Sequence, residues 1–324
     1  MRRRAALLAA LLALSAPSAL AGPTLWQRAA DPSAKTEARL LAALERTLDA
    51  REQAGGDPDL SRHLAQAAVA MADLSRVHAP KDPRLACVMA QALLLADSNR
   101  AADARRLLES ALQRLPDGSL AASAWHSLGI AYALLDDSVL AREAHTRGIA
   151  LDWDSDRLAS SYYNRAEAAA RLLDFDAAVS DYERAAALAR EPDVQALARF
   201  GLAVVLERRG DLPAAYAALD RALSVRLPVP PYPTEDPLEL PGVFFVPAYE
   251  RHYLQALAAM ALARTAERTV ERRSLYTLAV AEWDAYLDRA DPREPWVANA
   301  KSHRARALKG REEEPPSRRA RLSP

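Results

Sequence analysis

Residues 125–132 read Trp125-His126-Ser127-Leu128-Gly129-Ile130-Ala131-Tyr132, and Ala141 follows shortly after. Stepping by 37 residues from this stretch lines up three columns of small side chains. They are Ala92, Gly129, Ala166 and Ala203; Ala104, Ala141, Ala178 and Ala215; and Ala111, Gly148, Ala185 and Ala222. One such column would carry little in a chain this rich in Ala, but three in a fixed relative phase define a repeat. Between the last two columns stand Leu108, His145, Tyr182 and Leu219, all large, with His145 the outlier. Small residues at facing positions let helix axes approach to roughly 8–10 Å, and large ones fill the gaps between them. Ala, Leu, Arg and Glu lose little side-chain freedom in a helix, and β-branched residues are scarce, so helix is predicted almost throughout.

The pattern Trp125-x-x-Leu128-Gly129-x-x-Tyr132, continued by Ala141, resembles the signature of the tetratricopeptide repeat family. The resemblance covers four repeats over residues 83–227. It implies an all-α, right-handed α-solenoid of helix-turn-helix pairs. Turn chemistry agrees. Asp174-Phe175 and Gly210-Asp211-Leu212 sit where the two helices of a repeat join. Leu115-Pro116-Asp117 and Glu191-Pro192-Asp193 fall where a second helix ends, because Pro cannot continue it. The family's usual repeat is about 34 residues, so each repeat here carries close to one additional turn, at about 3.6 residues per turn. The surplus falls around Gly118-Ser119, Asp154-Ser155 and Pro192-Asp193. It reads as an extra turn on the first helix begun by capping residues, with a longer loop as the alternative.

The flanks depart from this register. Residues 22–82 read as a helical hairpin with a break at Ala54-Gly55-Gly56-Asp57-Pro58, a degenerate repeat or cap of the kind a terminal position needs. Seven Pro between Pro228 and Pro247 exclude regular helix from an insertion spanning 228–247. Its Leu238, Leu240, Val243, Phe244 and Phe245 are too apolar for a solvated linker, so the segment is expected to pack on the array, over the end of the groove. Residues 248–308 return to a repeat-like helix pair and a capping helix. The apolar-poor stretch 309–324 reads as a disordered tail.

The first residues carry a separate message. Arg2, Arg3 and Arg4 precede an Ala/Leu run from Ala5 to Leu14, a break at Ser15, Pro17 and Ser18, and the small residues of Ala19-Leu20-Ala21. This is the layout of a signal peptide over 1–21, with cleavage expected before Gly22. Ten apolar residues are about half of the ~20 needed to span a bilayer. The mature chain is therefore expected to be periplasmic or secreted, with no transmembrane segment. Removing three Arg from a chain of 43 basic and 43 acidic residues leaves a net charge of −3. That balance gives no reason to expect nucleic acid as a partner. Cys87, the only cysteine, can close no disulfide and reads as a buried helix residue.

No motif for nucleotide, zinc or acyl chemistry occurs, and the six His show no metal-ligand spacing. Glu250 and His252, two apart, face different ways on a helix. No catalytic residue, metal or cofactor is expected, and the chain reads as a binding protein rather than an enzyme. What the resemblance implies is a groove on the wall built from first helices. Its outward column is Met89, His126, Tyr163 and Phe200, followed by Ile130, Glu167 and Val204, then Arg171 and Arg208. Met89 and Phe200 could equally pack against the neighbouring first helix. Chaperone-binding members of the family grip a peptide carboxylate with Lys and Asn; here the Lys is absent and only Asn164 remains. The groove suits a peptide with apolar anchors and an acid, held by the two Arg. Two functions follow: a scaffold binding a peptide or protein partner in that groove, or a structural accessory subunit of an envelope assembly or export machine.

Overall fold

The computed structural model describes residues 42–43, 45–46, 82–96, 98–152, 155–227, 236–240, 243, 245 and 247–313. The signal region 1–21 and nearly all of the hairpin expected over 22–82 lie outside them. Among the described residues there is no strand, and eleven α-helices can be delimited. Four pairs come first: α1 (Pro83–Ala96) with α2 (Ala101–Leu112), α3 (Ser119–Leu134) with α4 (Ser138–Leu151), α5 (Ser155–Arg171) with α6 (Phe175–Leu188), and α7 (Pro192–Arg208) with α8 (Leu212–Leu223). Then follow α9 (Glu250–Thr265), α10 (Thr269–Leu287) and α11 (Val297–Glu312). Each helix packs on the next in sequence, and first helices also touch across repeats, α1 on α3, α3 on α5 and α5 on α7. The result is an all-α solenoid of tetratricopeptide-like helix pairs.

The columns read from the sequence form its seams. Ala104, Ala141, Ala178, Ala185 and Ala203 are fully buried. At Gly148 an added Cβ would lie 3.3 Å from the Ala122 carbonyl oxygen and 3.4 Å from the His126 nitrogen, so here α4 meets the backbone of α3. The first helices α3, α5 and α7 are 16 or 17 residues long, against 14, 14 and 12 for α4, α6 and α8. The surplus in the period is therefore a turn of helix.

Three turns repeat the same device. Asp136, Leu173 and Gly210 have φ of +64°, +60° and +92°. The residue after each, Asp137, Asp174 or Asp211, donates its N–H to the carbonyl of Tyr132, Ala169 or Leu206. The left-handed residue itself donates to Ala133, Ala170 or Glu207. This pair of bonds closes the end of the first helix as a Schellman motif. The same Asp then accepts the N–H of Leu140, Ala177 or Ala214 through its side chain and caps the second helix. One residue ends one helix and starts the next, which fixes the angle of the pair.

Beyond α8 the period is lost. Pro237–Glu239 form a single 3₁₀ turn started by the Asp236 side chain. Leu238 and Leu240 are buried, and Phe245 packs against the same core, in line with a segment that covers the array. Behind it, Tyr253 meets Trp283 and Tyr286 edge-on at 4.8 and 5.1 Å between ring centroids. The tail expected from Lys309 starts too early. Residues 309–312 are the last turn of α11, held by Arg272 donating to the Glu313 carbonyl at 3.1 Å and by Gly310, whose Cβ would strike the Tyr276 ring at 2.6 Å. Lys309 and Arg311 in that turn also complement the helix dipole.

Two substitutions test the seams and turns. Ala178→Leu should lower the unfolding free energy by roughly 1–3 kcal/mol through overpacking, read from denaturant melts. Leu173→Gly should raise it by about 0.5–1 kcal/mol, because Leu173 is half-exposed and pays for a left-handed conformation that Gly adopts freely.

Candidate functional site

The first helices enclose a cavity of about 410 Å³. Helix α5 contributes Tyr163, Asn164, Glu167 and Arg171, and α7 contributes Leu197, Gly201, Val204 and Arg208. The far side comes from outside the repeats: Leu238, Phe245 and Pro247 of the Pro-rich segment, Tyr249, Glu250 and Leu254 at the start of α9, and Glu294 and Trp296 before α11. Along α5 the spacing 163, 167, 171 and along α7 the spacing 197, 201, 204, 208 each put one stripe toward the space.

Its polar groups are arranged around three carboxylates. The Tyr163 hydroxyl donates to Glu167 at 2.7 Å. Burial, then the nearby Glu167 and Tyr182, push the Tyr163 hydroxyl far above its ordinary range, so it stays a neutral donor. Burial lifts the Glu167 carboxyl to about 7; the Tyr163 hydrogen bond and Arg171 pull down against it, while Glu250 adds to the rise. Arg208 donates to Glu250 at 2.5 Å, and its guanidinium stacks over Tyr253 and Trp296 at 4.9 and 4.8 Å. Arg171 is paired with Asp136. Glu294 accepts from the hydroxyls of Tyr249 and Tyr286.

A buried network anchors this far wall. Glu207 on α7 accepts from Tyr253 at 2.6 Å and Asn299 at 3.0 Å, and lies 2.8 Å from His303 Nε2. Burial alone would raise the Glu207 carboxyl, but the hydrogen bonds from His303 and Tyr253 hold it below its ordinary value. Helices α9 and α11 are thereby tied to α7 across the break in the repeat.

Of the residues expected in the groove, Tyr163, Glu167, Arg171, Val204 and Arg208 line the cavity. Met89 and Phe200 do not: at 1% and 3% exposure they are core, since their column turns toward the next first helix. Ile130 is half-buried outside the lining. His126 faces a separate small depression with Arg157 and Glu191. The two Arg expected to meet an acidic ligand each already carry an acid of this chain, Arg171 with Asp136 and Arg208 with Glu250. Glu250 and Glu294 were missed because they follow the insertion; the i, i+4 stripe Glu250–Leu254 was the available signal. Glu250 and His252 do face apart, His252 lying 2.7 Å from Glu282. A larger, shallow depression between α4 and α6 is lined by Arg142, Arg147 and Arg165, which pair with Asp174, Glu143 and Asp181.

The outlier His145 finds its explanation in Gly129. The ring is fully buried, and a Cβ on Gly129 would come within 2.4 Å of it. Gly therefore stands where the other repeats carry Ala. Among the described residues neither ring nitrogen of His145 has a hydrogen-bond partner. His126, at 5.3 Å between ring centroids, shares a hydrogen bond with Ser161 at 2.9 Å. Burial, followed by the charge of Arg157, lowers His126 to about 4; burial and His126 lower His145 well below its ordinary value.

No family model matches the chain, and no curated protein matches it. Among solved structures it is similar to MamA, with 20% identity over 59% of this chain and 88% of that one and a TM-score of 0.36. It is likewise similar to BtubC from P. vanneervenii, with 21% identity over 58% and 90% of the two chains and a TM-score of 0.42. Among the described residues no helix is long and apolar enough to cross a membrane, and no cluster of three metal-ligating side chains occurs.

The histidine pair makes a pH prediction. Both rings are neutral when folded and titrate near 6.5 when unfolded, so the unfolded state takes up more protons below that pH. Stability should be full above about pH 6.5 and fall toward pH 4, visible as a dropping melting temperature. His145→Leu with Gly129→Ala restores the side chains of the other repeats. It should flatten that fall and add about 1–3 kcal/mol at pH 7 by removing an unbonded buried polar ring.

Proposed function

We propose that this chain is an exported helical-repeat scaffold that binds a peptide segment or protein partner through its concave face, the wall of first helices. The observation that carries this reading is the cavity itself. Stripes from two consecutive first helices converge on it, it offers apolar surface from Leu197, Val204, Leu254 and Phe245 beside polar groups, and its size suits side chains of a bound segment. Aromatic residues at such a place give contact area at little entropic cost. Export rests on the three-part layout of residues 1–21 and places the partner in the periplasm or outside the cell. Binding, with no chemistry performed on the partner, is the activity that this arrangement of fixed, mutually paired groups serves.

The test is selection of random dodecapeptides from a display library on the full chain. Tyr163→Ala should weaken the selected peptides by roughly 1–3 kcal/mol, measured at a temperature where circular dichroism shows the variant still folded. Parental affinity in that variant would move the binding surface off this wall. N-terminal sequencing of the protein from envelope fractions should begin at Gly22; an intact Met1 terminus in the cytosol would overturn export.

A further inference from the structure

Resting on the reading of this wall as a peptide groove, we infer that the cavity selects a basic side chain, Lys or Arg, of the bound segment, with Glu167 and Glu294 as its charge partners. The argument is one of charge left over. Three carboxylates and two guanidinium groups line the space. Both cations are spent inside the protein, Arg171 on Asp136 and Arg208 on Glu250. Among the described residues neither Glu167 nor Glu294 forms an ion pair, Arg171 acting on Glu167 only through the field between them. Each is held instead by tyrosine hydroxyls, Tyr163 for Glu167 and Tyr249 with Tyr286 for Glu294. A hydroxyl orients a carboxylate and leaves its charge uncompensated, so the potential in the cavity is negative.

The rest of the lining fits the stem of such a side chain. Lys and Arg carry apolar methylenes below a charged head, and Val204, Leu254 and Phe245 supply apolar contact next to the carboxylates. An acidic side chain would meet Glu167, Glu250 and Glu294 with no free guanidinium to answer it, and like charges at close range exclude a wrong partner.

Titration gives a second handle. The charged and titratable groups acting on Glu167 are Tyr163 and Arg171 from its own helix, Tyr182 from α6 and Glu250 from α9. Lifted to about 7 by burial, Glu167 is part-protonated at neutral pH, and a cation binds its ionised form. Affinity for a basic segment should therefore fall as pH is lowered from 8 to 5.5.

The experiment takes dodecapeptides selected on the full chain and resynthesises them with norleucine or Glu at each shared position. The selected peptides should share a Lys or Arg. Norleucine there should weaken binding at least tenfold at pH 8, and Glu further still. Glu167→Gln keeps an acceptor for the Tyr163 hydroxyl and preserves the fold; in it the preference for Lys over norleucine should shrink to within about twofold and the pH dependence should flatten. Glu294→Gln should do the same in part. Peptides that lose binding with Tyr163→Ala yet share an acid, or no charge, would overturn the cation inference and leave the groove standing. A basic preference unchanged in both Gln variants would overturn it as well. Peptides indifferent to Tyr163→Ala would overturn the groove and the inference together.

Discussion

Two helices of a pair approach only as far as the side chains between them allow. In this chain that distance is set by Ala104, Ala141, Ala178 and Ala215 and by Ala111, Gly148, Ala185 and Ala222. Everything else is arranged around the resulting contact. Once the backbones are this near, the connecting turn is short, three residues in the last three of the four pairs, and the shared Schellman and N-cap geometry at Asp137, Asp174 and Asp211 is a compact way to satisfy the exposed groups at both helix ends. The first helices are then held at a fixed spacing along the array, which is what brings the stripes of α5 and α7 to one cavity.

The repeat was legible because its cause is local and periodic. Small residues at a fixed spacing and Pro or Asp at helix ends leave a mark in the sequence at every turn of the solenoid. The half of the cavity built by Tyr163, Glu167, Arg171, Val204 and Arg208 was legible for the same reason. The other half was not. Glu250, Glu294 and Trp296 arrive after an insertion that breaks the period, and a partner such as Glu207 for Asn299 and His303 leaves no spacing to step along. Met89 and Phe200 show a further limit. A residue's column gives its angle around its own helix, but whether that angle faces a groove or the next helix depends on how the repeats twist against one another.

The charge pairing in the cavity was hidden by the same route. Arg171 and Arg208 stand in one row of the sequence, which invites an anionic ligand. Their acids come from a turn in the previous repeat, Asp136, and from a helix past the Pro-rich segment, Glu250. A row of like charges in a repeat protein is therefore informative about the ligand only after the pairing within the protein has been subtracted.

Among the described residues most buried apolar side chains fall into two clusters, one over α1 to α4 and one from α5 onward. Between them the contact is small and polar: His126 shares a hydrogen bond with Ser161 and lies beside the His145 ring, which rests on Gly129. In a solenoid, stability is passed from neighbour to neighbour, and a boundary with little apolar contact passes on less of it. The cavity lies across that boundary: most of its lining comes from the second cluster, but Ala133, Ser138 and Ala141 close one edge and Asp136 holds Arg171. Opening between α4 and α5 would therefore release an edge of the cavity while leaving α7, α9 and α11 tied together through Glu207.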